Sequence, residues 1–143
     1  MGGSANDYAY SIQQATEGGY IIAGYTESYC YDIPGKHGDG GSDCWIVKLN
    51  SIGEVDWQKA LGGYNDDRAY SIQQTTDGGY IIAGYSYSYD SVVTVNHGCD
   101  VTGCRGCDYW IVKLTSTGEI NWQKSLGGSE FDVASSIQQT ADG

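Results

Sequence analysis

The 143 residues include one proline, one methionine and one phenylalanine, and 7 lysines and arginines stand against 18 aspartates and glutamates. Each scarcity excludes something. A net charge of −11 repels phosphate backbones and anionic lipid, so no nucleic acid is expected as a partner. No apolar run approaches the roughly 18 residues of a membrane-spanning helix, and no membrane insertion is expected. Met1 to Asp7 carry neither the basic nor the apolar region of a signal peptide. The Tyr, Gly and Cys usage nevertheless fits an extracellular or cell-surface protein, processed or recloned as a piece. Catalytic signatures are also missing. There is no G-x-S-x-G elbow, Walker loop or dinucleotide fingerprint, and the two histidines, His37 and His97, both lie in glycine-rich loops. The chain reads as a non-enzyme that requires no cofactor.

What is abundant is glycine (22), tyrosine (13) and tryptophan (4), a composition suited to short strands joined by glycine turns rather than to helices. The sequence also repeats itself. Gly2 to Ser28 and Gly62 to Ser88 are identical at 19 of 27 positions, and Asp43 to Gly63 matches Asp108 to Gly128 at 15 of 21. A further copy opens at Gly127 with GGSEFDVASSIQQTADG and runs to Gly143. The units are therefore 2–61, 62–126 and 127–143, the last being the first strand of a truncated repeat.

Each unit carries four strand signals. Tyr8 to Ala15 alternates apolar and polar residues, and Thr16-Glu17-Gly18-Gly19 then forms a tight turn. Tyr20 to Tyr25 is apolar on both faces, as in a strand buried on both sides. Cys44 to Leu49 puts Trp45, Val47 and Leu49 on one face, and Val55 to Leu61 puts Val55, Trp57 and Leu61 on one face. Four antiparallel strands per 60 to 65 residues predict an all-β fold of β-propeller blades, two complete blades plus one extra strand. A β-sandwich of nine strands is the alternative, and a β-solenoid would repeat at a shorter period.

The string SIQQTxDGGYIIAGY, a glycine-rich loop, DYWIVKL and GEIxWQKxLGG resembles the tandem repeat of secreted and cell-surface proteins of bacteria and archaea, a family of β-propeller repeats. The resemblance covers essentially the whole chain and implies a surface or adhesion-type interaction module. The chain departs from it at Cys44, where the second unit has Tyr109, and in the extra cysteines of both long loops.

Two blades cannot close a ring, since closed propellers have about four to eight. The chain is therefore expected either to be part of a longer array or to assemble with other copies of itself, as a closed ring or as a head-to-tail filament. The surplus strand allows strand exchange, the copy at Val133 and Ile137 taking the place of Ala9 and Ile12 in a neighbour. A second functional class is a ligand-binding propeller for a glycan or a surface protein, using the exposed aromatics Tyr29, Tyr31, Tyr87 and Tyr89.

Five cysteines, Cys30, Cys44, Cys99, Cys104 and Cys107, are disulfide candidates. Cys30 and Cys44 flank the first long loop, and the other three lie in the second. No metal is favoured; the alternative is a structural zinc held by His97, Cys99, Cys104 and Cys107. Asp7, Asp67 and Asp132 recur after Gly-Gly, where a short carboxylate caps nearby amides rather than supplying the six to eight oxygens of a calcium site.

Overall fold

The computed structural model describes residues 2–28, 33–37, 41–90, 93, 97 and 106–142. These form two four-stranded antiparallel sheets, and no helix occurs among the described residues. The first sheet holds β1 (Asp7–Gln14), β2 (Tyr20–Thr26), β3 (Asp43–Leu49) and β4 (Val55–Leu61), hydrogen-bonded in that order. The second holds β5 (Asp67–Gln74), β6 (Tyr80–Ser86), β7 (Asp108–Leu114) and β8 (Ile120–Leu126) in the same order. The chain is all-β, with two propeller-like blades that do not close on one another.

Local chemistry sets the strand ends. Gly18 and Gly19 take φ of 97° and 78° in the β1–β2 turn, a region that side chains other than glycine disfavour. The start of each unit is tied down by its aspartate. Gly3 N donates to Asp7 Oδ2 at 2.9 Å, Gly63 N to Asp67 Oδ2 at 2.7 Å, and Gly128 N to Asp132 Oδ2 at 2.8 Å.

Both first strands carry a β-bulge, between Ala9 and Ser11 in β1 and between Ala69 and Ser71 in β5. The bulge brings backbone onto the neighbouring strand at Gly24 and Gly84. A Cβ on Gly24 would run into the Tyr8 carbonyl, and one on Gly84 into the Arg68 carbonyl. Glycine is required there by close approach, not by φ.

The core of the described residues lies between the blades. Ile21, Ala23, Cys44, Ile46 and Leu61 of the first sheet pack against Ala69, Ile72, Tyr80, Ile82, Trp110, Val112 and Leu114 of the second. Each sheet thus covers its partner with opposite faces: the odd-numbered residues of β2 meet the even-numbered residues of β6. The remaining face of the first sheet, with Ile22, Trp45 and Val47, lines a cleft of about 150 Å³.

The copy that begins at Gly127 forms no strand, contrary to expectation. Its backbone joins neither four-stranded sheet. It docks instead along β5 through the contacts described next.

Candidate functional site: the seam between repeats

The SIQQ motif recurs in all three copies, and the structure gives its polar side chains a job that strand alternation did not reveal. At the first seam, Ile72 N donates to Ser11 Oγ at 3.3 Å and Gln74 N donates to Gln13 Oε1 at 2.6 Å. Gln74 Oε1 in turn accepts from Thr16 N at 2.8 Å. At the second seam, Ile137 N donates to Ser71 Oγ at 3.3 Å, Gln139 N to Gln73 Oε1 at 2.7 Å, and Thr76 N to Gln139 Oε1 at 2.9 Å. These three bonds of the first seam each have a counterpart in the second. Side chains of each copy satisfy main-chain groups of its neighbour, in both directions, a buttoning that any two adjacent copies can form.

Farther out, the seam is apolar and then charged. The Trp57 ring lies edge-on to Tyr80 with centroids 6.0 Å apart and packs on Gly118. Lys59 pairs with Glu119 beside it. Glu17 of the first blade accepts hydrogen bonds from Gln74 Nε2 at 2.8 Å and from Tyr80 Oη at 3.1 Å. Partial burial would raise the Glu17 carboxyl, but these bonds and the Lys48 ammonium outweigh it and hold it at about 2.

The loop ends of the seam bury carboxylates. Asp43, Asp67 and Asp108 are fully buried. Asp43 pairs with Lys36 at 3.0 Å and accepts from His37 N at 2.8 Å. Desolvation pushes Asp67 up to about 7 against the bonds from Ser86, Gly63 and Ser88, and the Asp43 charge adds to the rise.

The sequence-predicted residues fall in three places. Ala9 and Ile12 lie on β1, paired with β2 of their own sheet, and Ile12 is 63% exposed. Val133 is exposed and Ile137 half-buried in the docked tail. The seat beside β2 is thus filled by β1 itself, and the tail lies against its own chain's β5 and β6, where Ala134 N donates to the Gly84 carbonyl at 3.2 Å.

Tyr87 and Tyr89 do come together. With Gly41, Tyr64, Asn65, Asp66 and Tyr85 they line an open cleft of about 700 Å³. Tyr29 and Tyr31 lie outside the described residues. Tyrosines also meet one another: Tyr8, Tyr25, Tyr10, Tyr70, Tyr85 and Tyr87 form a continuous series of ring contacts 4.7 to 5.9 Å apart from the first blade to the second. The Arg68 guanidinium sits over the Tyr25 ring at 4.1 Å.

The cysteine expectation is corrected in part. Cys44 and Cys107 are free, buried thiols. Cys44 points into the inter-sheet core rather than toward the loop, and Cys107 Sγ is directed at the Asp132 carbonyl, 3.7 Å away. Burial pushes both thiols up. Cys30, Cys99 and Cys104 lie outside the described residues. His97, offered as a zinc ligand with Cys107, turns Nδ1 to Asp108 Oδ2 at 2.7 Å, and its main-chain N–H bonds the same oxygen at 2.9 Å. His37 bonds Asp43 through its own main-chain N–H, so the two histidines share a loop-closing role.

Sequence reasoning missed the Ser and Gln buttons and the Tyr64-Asn65-Asp66 side of the cleft. The signal was present in the copies themselves: a polar motif kept in all three units, and a short stretch changed between two of them. No family model matches the sequence, and no curated protein matches it.

Proposed function

We propose that the chain is a non-catalytic, self-assembling β-propeller repeat module that completes its fold by head-to-tail association with other copies. The observation that carries this reading is the state of the two halves of the seam. Within the chain, Ile72 is 5% exposed and Tyr80 0%. Their counterparts in the first blade, Ile12 and Tyr20, are 63% and 43% exposed. On the other side, Trp122 repeats Trp57 and is 45% exposed, and Leu126 repeats Leu61 and is 42% exposed. Gly53, the counterpart of Gly118, has no atom near its Cβ position. The chain thus presents both halves of an interface that it already uses once internally. A copy placed by the same operation would lay Trp122 over Tyr20 and Gly53 and bring Lys124 to Glu54. Such a contact is heterologous, so it closes into a ring or grows into a filament.

The docked tail adds a competitor. It occupies along β5 the seat that β1 of an incoming copy would take. Association either displaces it or passes it to the neighbour's β2 by strand exchange. The resemblance to secreted and cell-surface repeats supports a place outside the cell.

Light scattering across a concentration series tests the proposal. The expected result is a mass of two or more chains, reduced by Trp122→Asp and by Lys124→Glu, the latter restored by adding Glu54→Lys. A mass of one chain at all concentrations overturns it.

A further inference from the structure

We propose that the tyrosine cleft on the second blade is a binding site for a neutral oligosaccharide. The first two copies differ at only 8 of the 27 aligned positions of Gly2–Ser28 and Gly62–Ser88. Four of those eight differences line this cleft: Tyr64, Asn65, Asp66 and Tyr87 replace Ser4, Ala5, Asn6 and Glu27. A fifth, Arg68 in place of Tyr8, stands beside it. The first blade folds without these side chains, so a blade of this repeat does not need them to form its four strands. Change concentrated on one concave surface, in copies otherwise nearly identical, points to recognition at that surface.

The cleft is held ready. Tyr64 N donates to Asp90 Oδ2 at 2.8 Å, Asn65 N to Ser88 Oγ at 3.1 Å, and Asn65 Nδ2 to the Tyr87 carbonyl at 3.3 Å. Asp66 Oδ1 accepts from both Ser42 N at 2.8 Å and Ser42 Oγ at 2.9 Å. A site fixed before its ligand arrives loses less freedom on binding. Its volume of about 700 Å³ lies within the usual range for small-ligand sites.

The lining selects the ligand class. Tyr64 and Tyr89 are 71% and 66% exposed, and such rings offer apolar faces to the C–H side of a sugar ring while their hydroxyls remain available to hydrogen-bond. Asn65 and Asp66 supply amide and carboxylate partners for sugar hydroxyls. The Asp66 charge is offset nearby, because Arg68 Nε donates to the same Ser42 Oγ at 3.0 Å. That compensation favours an uncharged ligand over a cationic one, and the net charge of −11 disfavours an anionic one. The cleft borders the seat of the tail at Tyr87, whose ring meets Phe131 at 6.1 Å, but sugar binding and chain mass are read by separate measurements, so either proposal can fail alone.

The test uses the full chain with neutral trisaccharides of glucose, galactose, mannose and N-acetylglucosamine, followed by saturation-transfer NMR and calorimetry. Choline, sialyllactose and a tyrosine-rich peptide serve as controls. At least one trisaccharide is expected to bind with Kd at or below about 1 mM, the weak end of specific recognition. The four-residue variant Tyr64→Ser, Asn65→Ala, Asp66→Asn and Tyr87→Glu carries only residues that the first blade accommodates. It should weaken binding at least about tenfold while the circular dichroism spectrum shows the parent fold retained. Failure of all four sugars at 10-fold higher concentration, binding untouched by the variant, or tighter binding of any control overturns the proposal.

Discussion

Gln74 donates its main-chain N–H to Gln13 Oε1 at 2.6 Å and receives the Thr16 N–H on its own Oε1 at 2.8 Å. One residue therefore buttons two blades together through both its backbone and its side chain. Replacing Gln13 by Leu removes an acceptor and leaves the Gln74 N–H facing an apolar group at a half-buried position. A loss of about 1–2 kcal/mol is expected. Thermal unfolding should register it as a Tm lower by about 3–8 °C. Gln138→Leu, at the exposed counterpart of this position in the tail, should leave Tm unchanged.

Ile12 and Ile72 are the same residue of the repeat in two environments, 63% and 5% exposed. Ile72→Asp places a charge in the inter-sheet core and should cost more than about 4 kcal/mol, enough to prevent folding. Ile12→Asp should change the stability of the single chain by less than about 0.5 kcal/mol and lower the associated mass, unless the neighbour's tail takes the place of β1. Circular dichroism and light scattering on the two variants separate these outcomes.

Close backbone approach at the bulges makes a further pair of variants informative. Gly84→Ala drives a methyl group into the Arg68 carbonyl and should destabilise by about 2–4 kcal/mol, since the contact is backbone and cannot swing aside. Gly128→Ala meets open space and serves as the neutral comparison. Urea midpoints provide the measurement.

Asp67 gives the seam a pH dependence whose sign is opposite to that of most carboxylates. Its folded value of about 7 lies above the unfolded value near 3.9. The folded chain therefore holds more protons between these limits, and stability falls as pH rises from about 4 to about 7. Asp43, also raised by burial, acts in the same direction. Glu17, held at about 2, acts in the other, its contribution being lost as pH falls from about 4 toward 2. Unfolding midpoints should thus peak near pH 4–5. Asp67→Asn should flatten the decline between pH 4 and 7, and an undiminished slope would remove Asp67 as its source.

Cys44 and Cys107 should resist alkylation in the native state at pH 8, because both are buried and burial disfavours the thiolate. Mass spectrometry after brief iodoacetamide treatment should find these two unmodified, and modified once urea is added. Rapid native labelling of Cys44 would contradict its place in the core.

Much of the architecture was legible because the repeat displays it twice. The strand expected over Tyr20 to Tyr25 appears as Tyr20–Thr26, and the one over Val55 to Leu61 has those bounds. The aspartates after Gly-Gly cap amides as their chemistry suggested. Period-2 alternation reports which face a side chain takes, but not what stands opposite. For that reason it could not place Cys44 in the inter-sheet core, nor show that Gln13 reaches the backbone of the next copy. It also could not show that Val133 to Thr140 would dock without pairing, since strand propensity is local and a ladder needs a second chain segment. The cleft was half visible: Tyr87 and Tyr89 stand out by exposure and type, whereas Tyr64 and Asp66 come from the start of the unit and reach them only through the fold.

The buttons have a consequence for how such proteins lengthen. Because each copy carries both the donors and the acceptors of the seam, a gene duplication that inserts a whole unit also inserts a ready-made joint. A chain of n copies has n−1 joints, so in a nearest-neighbour account the stability per copy climbs toward a plateau as copies are added. Length can then drift over generations while the joint stays constant, which frees the cleft residues of each copy to diverge separately.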